Sequence, residues 1–466
     1  MKKNILLINP EQNSYYRGIY PSGALMLIGT MCQNQGHNIK IIDATVNDIS
    51  VSKMKRIISS FNPDIVGITI NTFQTKNAKK WLNTIKELDN NILTIVGGPH
   101  PSALGLEIFK DFQNIDISVI GEGEFTFLEI VEGRKLEEIK GICYNGKANE
   151  PRQLASNLDH IPLSNFDLVD LTKYSALGMD NSMFIMASRG CPARCIYCNK
   201  SIFGTKVRYR QPIKVIEEIK WMHKKCGIKF LYFQDDTFNL NRKWIEEILT
   251  LIIENGLNTD ISYMVAFRAN KNLVDEKLLE LAKKANIKQI FYGVESGNQE
   301  MLDRMQKGIT IAEIRRAFEL THNAGIKAIA AFIIGLPGEN ESTIQDTINL
   351  WKEIKPDYTG FTMATPYPNT VFHKILVEKN HILNANYDDY HLGGNYVRSD
   401  ELSREELEFY TALLIITHTH KWILKLPFFP FFPIGRNKIL CNISVFGIRR
   451  YKWLRDNLSK ISGKNL

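Results

Sequence analysis

The stretch "RGCPARCIYCNK", residues 189–200, gathers three of the chain's seven cysteines into eight positions. Cys191, Cys195 and Cys198 follow the spacing C-x-x-x-C-x-x-C, with Tyr197 directly before the last. Two metal chemistries compete for such a set. A structural zinc wants four ligands, usually two C-x-x-C pairs or cysteines with histidines. The sequence offers no second pair and no nearby His. A 4Fe–4S cluster takes thiolates at this kind of short spacing. With only three offered, one iron keeps a coordination position open for a substrate or cofactor, and that makes the arrangement catalytic rather than only electron-carrying. Cys32, Cys143, Cys226 and Cys441 lie scattered, most of them on apolar stretches, and read as structural.

A chain of 466 residues is long for one average domain and suggests two domains plus an appendage. Its 44% apolar and 23% charged residues are ordinary for a soluble globular protein. "MKKNILLINPEQN" has too short an apolar run for a signal peptide, and no stretch offers the ~18 apolar residues of a spanning helix. A reducing, cytoplasmic compartment is the expectation, where clustered cysteines point to metal rather than disulfide. The net charge of +8 is local: from Lys421 onward ten Lys or Arg face one acid, Asp456, so the rest is close to neutral. That distribution speaks against a general nucleic-acid-binding surface.

The elements that must position the cysteines come in two sets. Over residues 1–135, short apolar runs ("NILLINP", "NIKIIDA", "DIVGITIN", "ILTIVGG", "ISVIG") alternate with stretches whose apolar positions lie three and four apart. Five strands separated by helices predict a doubly wound parallel sheet, with any ligand outside the strands' carboxyl ends. Those ends carry "NPEQN", "DATVND", "NTFQT", "GGPHPSA" and "GEGE", rich in the Gly, Pro and small polar residues of loops that approach a ligand closely. Residues 136–180 read as a hairpin and linker. Over 181–375 the βα alternation returns with six strands ("MFIMAS", "KFLYFQ", "ISYMVAFR", "QIFYGV", "KAIAAFIIG", "DYTGFTM"), fewer than the eight of a closed barrel. The fold class is α/β: the doubly wound sheet, then a partial (βα)6 barrel of TIM type, then a helical, basic and aromatic extension over 376–466.

The cysteine pattern after a first barrel strand resembles the hallmark of the radical S-adenosylmethionine superfamily, whose partial (βα)6 barrel matches the strand count. The resemblance implies a 4Fe–4S cluster whose unique iron binds the amino and carboxylate groups of S-adenosylmethionine. One electron then yields methionine and a 5′-deoxyadenosyl radical. It also implies roles for residues at the strand ends. Asp235 and Asp236 in "QDDTF" would meet the methionine ammonium. Arg268 in "AFRAN" would pair with the methionine carboxylate, and Glu295 in "GVESG" would hold the ribose hydroxyls or the ammonium. Gly335, Pro337 and Gly338 in "GLPGEN" would let the backbone approach the adenine, with Tyr197 against the ring. Each also has a plain structural alternative: an ion pair for Arg268, a helix cap for Asp235, turns for the glycines.

The first half resembles the cobalamin-binding domain that precedes the barrel in one large class of this superfamily, on "LLINP", "VGITINTFQT", "GGPHPSA" and "VIGEGE". The positions implied for cobalamin are Asn9, Asp43, Thr72, Gly97, Gly98, Pro99, His100, Gly121, Glu122 and Gly123. The motif D-x-H-x-x-G that places an imidazole beneath cobalt elsewhere is absent, and His100 reads as shaping its loop. With both cofactors, the class removes hydrogen from an unactivated carbon of a small molecule and adds a methyl group, with a second S-adenosylmethionine remethylating cobalt. Ring formation without methylation also occurs in the class, and a sensor without turnover is the rival from another class. An electron donor such as flavodoxin or ferredoxin is implied. The tail interleaves Trp422, Phe428, Phe429, Phe431, Phe432 and Trp453 with Lys and Arg, a composition suited to a membrane interface and a lipid-like substrate. An extension packed on the barrel is the alternative.

Overall fold

The structure, a computed structural model, describes residues 1–12, 20–174, 181–391 and 394–423. The expectations on the aromatic-basic tail beyond 423, and on Cys441 within it, lie outside the described residues. Five strands, β1 (Asn4–Asn9), β2 (Asn38–Asp43), β3 (Ile65–Thr69), β4 (Leu93–Gly97) and β5 (Ile117–Val119), run parallel in the order β2-β1-β3-β4-β5. They are nearly continuous Ile, Leu and Val because helices bury them from both sides. Leu6, Ile8, Val66 and Val96 pack with Met54, Trp81 and Ile85 on one face, and Ile5, Leu7 and Ile95 with Leu25, Phe127 and Ile130 on the other.

The expected hairpin, β6 (Ile142–Tyr144) and β7 (Lys147–Ala148), is not separate from this sheet: β6 pairs antiparallel with β5 and extends it. The polar stretch that follows forms three single 3-10 turns. Each is entered by an Asx residue whose side chain accepts the N–H two residues on: Asn157 from Asp159, Asn165 from Asp167, Asp170 from Thr172.

Two more strands form a short antiparallel ribbon, β9 (Ser188–Arg189) with β10 (Arg208–Tyr209). The larger sheet holds β8 (Ser182–Ile185), β11 (Phe230–Phe233), β12 (Ser262–Phe267), β13 (Ile287–Glu295), β14 (Lys327–Ile334) and β15 (Tyr358–Met363), all parallel and in chain order. Its connecting helices carry clear signals. Helix Pro212–Cys226 begins on Pro, ends against Gly227 at φ +60, and buries Val215, Ile216, Ile219 and Met222. Helix Ile311–Asn323 begins with a capping box between Thr310 and Glu313. Along β12 and β14 every second residue is fully buried under these helices (Tyr263, Val265, Phe267; Ala328, Ala330, Phe332). Their inward neighbours Met264, Ala266, Ile329 and Ala331 stay half-exposed. The lumen of the partial barrel is therefore open to a ligand rather than filled by side chains. Helix Arg404–Ile423 runs along the β15 edge, with the Thr411 hydroxyl 2.7 Å from Met363 Sδ.

Candidate active site

The cysteines lie on the loop that joins β9 to β10. Gly190 opens it at φ +92, and a Cβ there would fall 2.5 Å from the Lys206 carbonyl oxygen, so only Gly fits. Backbone bonds fold the loop on itself, from Cys191 N to Gly204 O (3.4 Å), Gly204 N to Lys200 O (3.0 Å) and Cys198 N to Cys195 O (3.2 Å). Cys191 Sγ rests 3.7 Å from Thr237 Oγ1; Cys191 and Cys195 are half-buried, Cys198 is exposed, and all three are free thiols. Although exposed as a residue, Cys198 has its thiol pushed up to about 11, first by desolvation and then by the neighbouring Asp236 and Cys195. A cationic metal centre reverses that balance. Among the described residues no three Cys, His, Asp or Glu side chains converge on one ion. Zinc needs its thiolates all about 2.3 Å from a single centre, whereas a cubane takes its three thiolates on three different irons. Three thiolates without a fourth protein ligand suit a cubane that keeps one iron open rather than a closed structural zinc site.

Asp235 holds up this loop. It is buried at 3% exposure and accepts Ala187 N–H at 2.9 Å and the Ser188 hydroxyl at 2.5 Å. Burial pushes its carboxyl up to about 7, against those hydrogen bonds. Both oxygens are thus engaged with the strand that leads into the cysteine loop and not turned to the mouth. Asp236 is the exposed member of the pair; burial of its carboxyl raises it, while the Gly190 N–H bonds to it and lowers it.

At the end of β13 the structure joins three expected residues through one that the sequence reading missed. Lys307 Nζ donates to Glu295 Oε1 at 2.6 Å and lies 3.3 Å from the Tyr197 hydroxyl, which itself donates to Glu295 Oε1 at 2.9 Å. Arg268 donates through Nη2 to the Lys307 carbonyl. Glu295 adopts φ +67, a left-handed conformation uncommon for a non-Gly residue. A Cβ on Gly293 would sit 2.4 Å from Glu295 Oε1 and 2.8 Å from Lys307 Nζ, so this Gly admits the pair. Burial and the Glu295 charge raise the Tyr197 phenol, which stays a donor. Nothing in the run "DRMQKG" marks Lys307 in advance. The loop of Gly335, Pro337 and Gly338 is self-contained: Gly335 N–H donates to Glu339 at 2.5 Å, and Gly338 (φ +84) packs on Arg304. It meets the Tyr197 side of the site through Leu336, in one apolar cluster with Ile196 and Met305.

A cavity of about 840 Å³ lies between the two sheets. One wall is the carboxyl ends of the first sheet, with Asn9, Gly97, Gly98, Pro99, Gly121, Glu122 and Gly123 from the expected cobalamin set. Thr45, Gly67 and Thr69 join them unforeseen. The facing wall comes from the barrel: Phe184, Met186, Arg189, Ile202, Phe203 and Gln234. Glycines keep it open, since a Cβ on Gly98 (φ +101) would lie 2.9 Å from Thr69 Oγ1, and one on Gly23 2.9 Å from Phe184 Cζ. Its size and glycine lining leave room for a bulky ligand such as cobalamin. Three expected residues do not line it. Asp43 is buried under Asn9, Thr45 and Tyr174. Thr72 meets His100 Nδ1 at 3.3 Å, and His100 packs edge-on against Tyr387. Burial pulls His100 down to about 4, a neutral imidazole joining the first domain to the segment after the barrel. No His is among the described residues that line the cavity.

A doubly wound glycine-edged sheet facing an open barrel whose mouth carries three free cysteines on one loop defines a class, the radical S-adenosylmethionine proteins with a cobalamin-binding domain. Family models agree: "Radical SAM superfamily" matches residues 185–350 and "B12 binding domain" residues 14–131. An uncharacterized methyltransferase of Pyrococcus horikoshii is 35% identical over 400 residues, 83% of this chain and 86% of that one. The anaerobic magnesium-protoporphyrin IX monomethyl ester cyclase of Rubrivivax gelatinosus is 29% identical over 420 residues, covering 86% and 75%. The radical S-adenosylmethionine methyltransferase TsrM of Kitasatospora setae shares the fold with a TM-score of 0.67 at 19% identity, covering 82% of this chain and 77% of that one. Its structures hold tryptophan with an S-adenosylmethionine analogue, or cobalamin with a [4Fe–4S] cluster. The chain belongs to the radical S-adenosylmethionine superfamily, in the branch with a B12-binding domain, and is an enzyme of S-adenosylmethionine-dependent chemistry on a small molecule. No described helix is long and apolar enough to cross a membrane.

Proposed function

We propose that this enzyme methylates an unactivated carbon of a hydrophobic small molecule. One observation carries the reading: Arg189 at the start of the cysteine loop and Ile202 and Phe203 within it form a wall of the same cavity that the glycine-rich ends of the first sheet enclose. The two cofactor regions thus share one interior. The cofactors supply the hard chemistry when bound, namely hydrogen removal and the methyl group. The chain's own residues hold and orient. Cys191, Cys195 and Cys198 would grip the cluster, and Asp235 fixes their loop. Asp236, Arg268, Glu295 and Lys307 present the charges that an amino acid's ammonium and carboxylate and a ribose would meet. The predominantly apolar cavity wall excludes water and suits a hydrophobic, even lipid-like, substrate. An exposed Cys198 gives an electron donor such as a flavodoxin or ferredoxin a short approach to the cluster, and the basic-aromatic tail would bring the enzyme to a membrane surface that holds such a substrate.

The test is anaerobic turnover of reduced, cluster- and cobalamin-loaded protein with methyl-deuterated S-adenosylmethionine and a lipid extract. Formation of 5′-deoxyadenosine with a deuterated methyl group in one extract component supports the proposal. No 5′-deoxyadenosine at all points to a sensor. 5′-deoxyadenosine with an unmethylated, ring-closed product supports the second reading, which the similarity to the cyclase favours.

A further inference from the structure

β9 and β10 set Arg189 directly opposite Arg208 in a two-stranded antiparallel ribbon. Their side chains are only 7% and 5% exposed. Like charges paired across a ribbon repel, and buried guanidinium groups without partners are strongly unfavourable. Nothing within the ribbon neutralises them. The first domain does. Glu122 Oε1 accepts from Arg189 Nη1 and from Arg208 Nη1, both at 2.9 Å, and Glu124 Oε1 accepts from Arg189 Nη2 at 2.7 Å. Glu122 Oε2 also accepts the Ala155 N–H at 2.9 Å, so its carboxylate is fully engaged. Arg208 continues to the Phe203 carbonyl (3.2 Å) and Arg189 lies over the Phe203 ring, inside the cysteine loop itself.

From this geometry we infer that Glu122 and Glu124 link the two cofactor sites thermodynamically: loading the cavity tightens the cluster loop, and loading the cluster tightens the cavity. The inference rests on the proposed cofactor pair but concerns this chain's own charges. The reason is placement. Glu122, Glu124 and Arg189 all line the cavity, while Arg189 and Arg208 are the two posts from which the cysteine loop hangs. A ligand that orders the "GEGE" turn fixes the carboxylates, and these are what make the Arg–Arg ribbon tolerable. By linkage the effect is reciprocal and equal in both directions.

The experiment needs no substrate. Hydroxocobalamin is titrated into full-length protein with the cluster removed and into protein reconstituted with it, and the two dissociation constants are compared. The wild type binds at least about fivefold tighter when the cluster is present, and bound hydroxocobalamin slows chelator-driven iron loss. In Glu122→Gln and in Arg208→Met that ratio falls towards one; because each ratio is taken within one protein, a general loss of stability cancels. Glu124→Gln, which removes a single ion pair, gives an intermediate ratio and serves if the other two fold poorly. Equal affinity with and without cluster in the wild type overturns the linkage, as does an undiminished ratio in the variants. No corrin uptake by the wild type in either state overturns the cobalamin reading itself.

Discussion

Asp235 makes the sharpest structural prediction because its replacement by Ala and by Asn should diverge. In the native protein the Ala187 N–H and the Ser188 hydroxyl are buried and donate to this carboxyl, which the Ser188 N–H also approaches. Asp235→Ala orphans both, at about 1–3 kcal/mol each, for a total of about 2–6 kcal/mol. Asp235→Asn keeps its Oδ1 for Ala187, while Ser188 rotates its hydroxyl to accept from Nδ2, so its loss should stay below about 1 kcal/mol near pH 6. The sign of the pH effect follows from the carboxyl standing at about 7 in the folded protein rather than at 3.8. Between those values the folded form holds the extra proton, so the wild type loses stability as pH rises through this window, by up to about 4 kcal/mol. Asn has no proton to lose, and its thermal midpoint should gain on the wild type from pH 5 to pH 8. The assay is thermal unfolding of the three proteins across that range, with iron per chain after anaerobic reconstitution. Ala should bind markedly less iron and Asn nearly the wild-type amount. Ala matching the wild type in both readouts would refute Asp235's place as the prop of the cysteine loop.

Lys307→Met leaves Glu295 buried without its ion pair and should cost about 3–5 kcal/mol in a melt, with weaker S-adenosylmethionine binding by calorimetry; Lys307→Arg should recover part of both. Gly98→Ala forces a side chain into the left-handed region against Thr69 and Ile70 and should reduce corrin uptake, read from the visible spectrum, while leaving iron content unchanged. His100, held down to about 4 by burial, binds fewer protons folded than unfolded between that value and 6.5. Stability should be full above about pH 6.5 and fall towards pH 4, and His100→Gln should flatten that acid limb of the thermal midpoint curve.

The strands of both sheets were legible because parallel strands covered on two faces are continuous apolar runs, and "ILTIVGG" or "KAIAAFIIG" cannot be much else. The cysteine loop was legible because its ligands are local in sequence. What stayed hidden depends on distance along the chain. Lys307 stands twelve residues beyond Glu295, and only the turn of a short helix brings it back. Glu122 read as a lining residue of a ligand loop, but its partners lie 67 and 86 positions away. Asp235 sat at the expected strand end, yet burial and the Ser188 hydroxyl decide its role, and neither is written in "QDDTF". The hairpin at 142–148 was visible as a turn; that it extends the first sheet depends on pairing with β5, which no local pattern reports. His100 and Thr72 lie in loops with a ligand-like composition and serve instead as packing between the first domain and Tyr387.

The most direct test of the account is iron and sulfide analysis of the anaerobically reconstituted protein and its cysteine variants. About four iron and four sulfide per chain are expected in the wild type and in Cys226→Ala. Cys191→Ala, Cys195→Ala and Cys198→Ala should each lose most of both, and addition of S-adenosylmethionine should alter the electron paramagnetic resonance of the reduced wild-type cluster. Full iron and sulfide in any of those three variants, or a wild-type signal indifferent to S-adenosylmethionine, would contradict it.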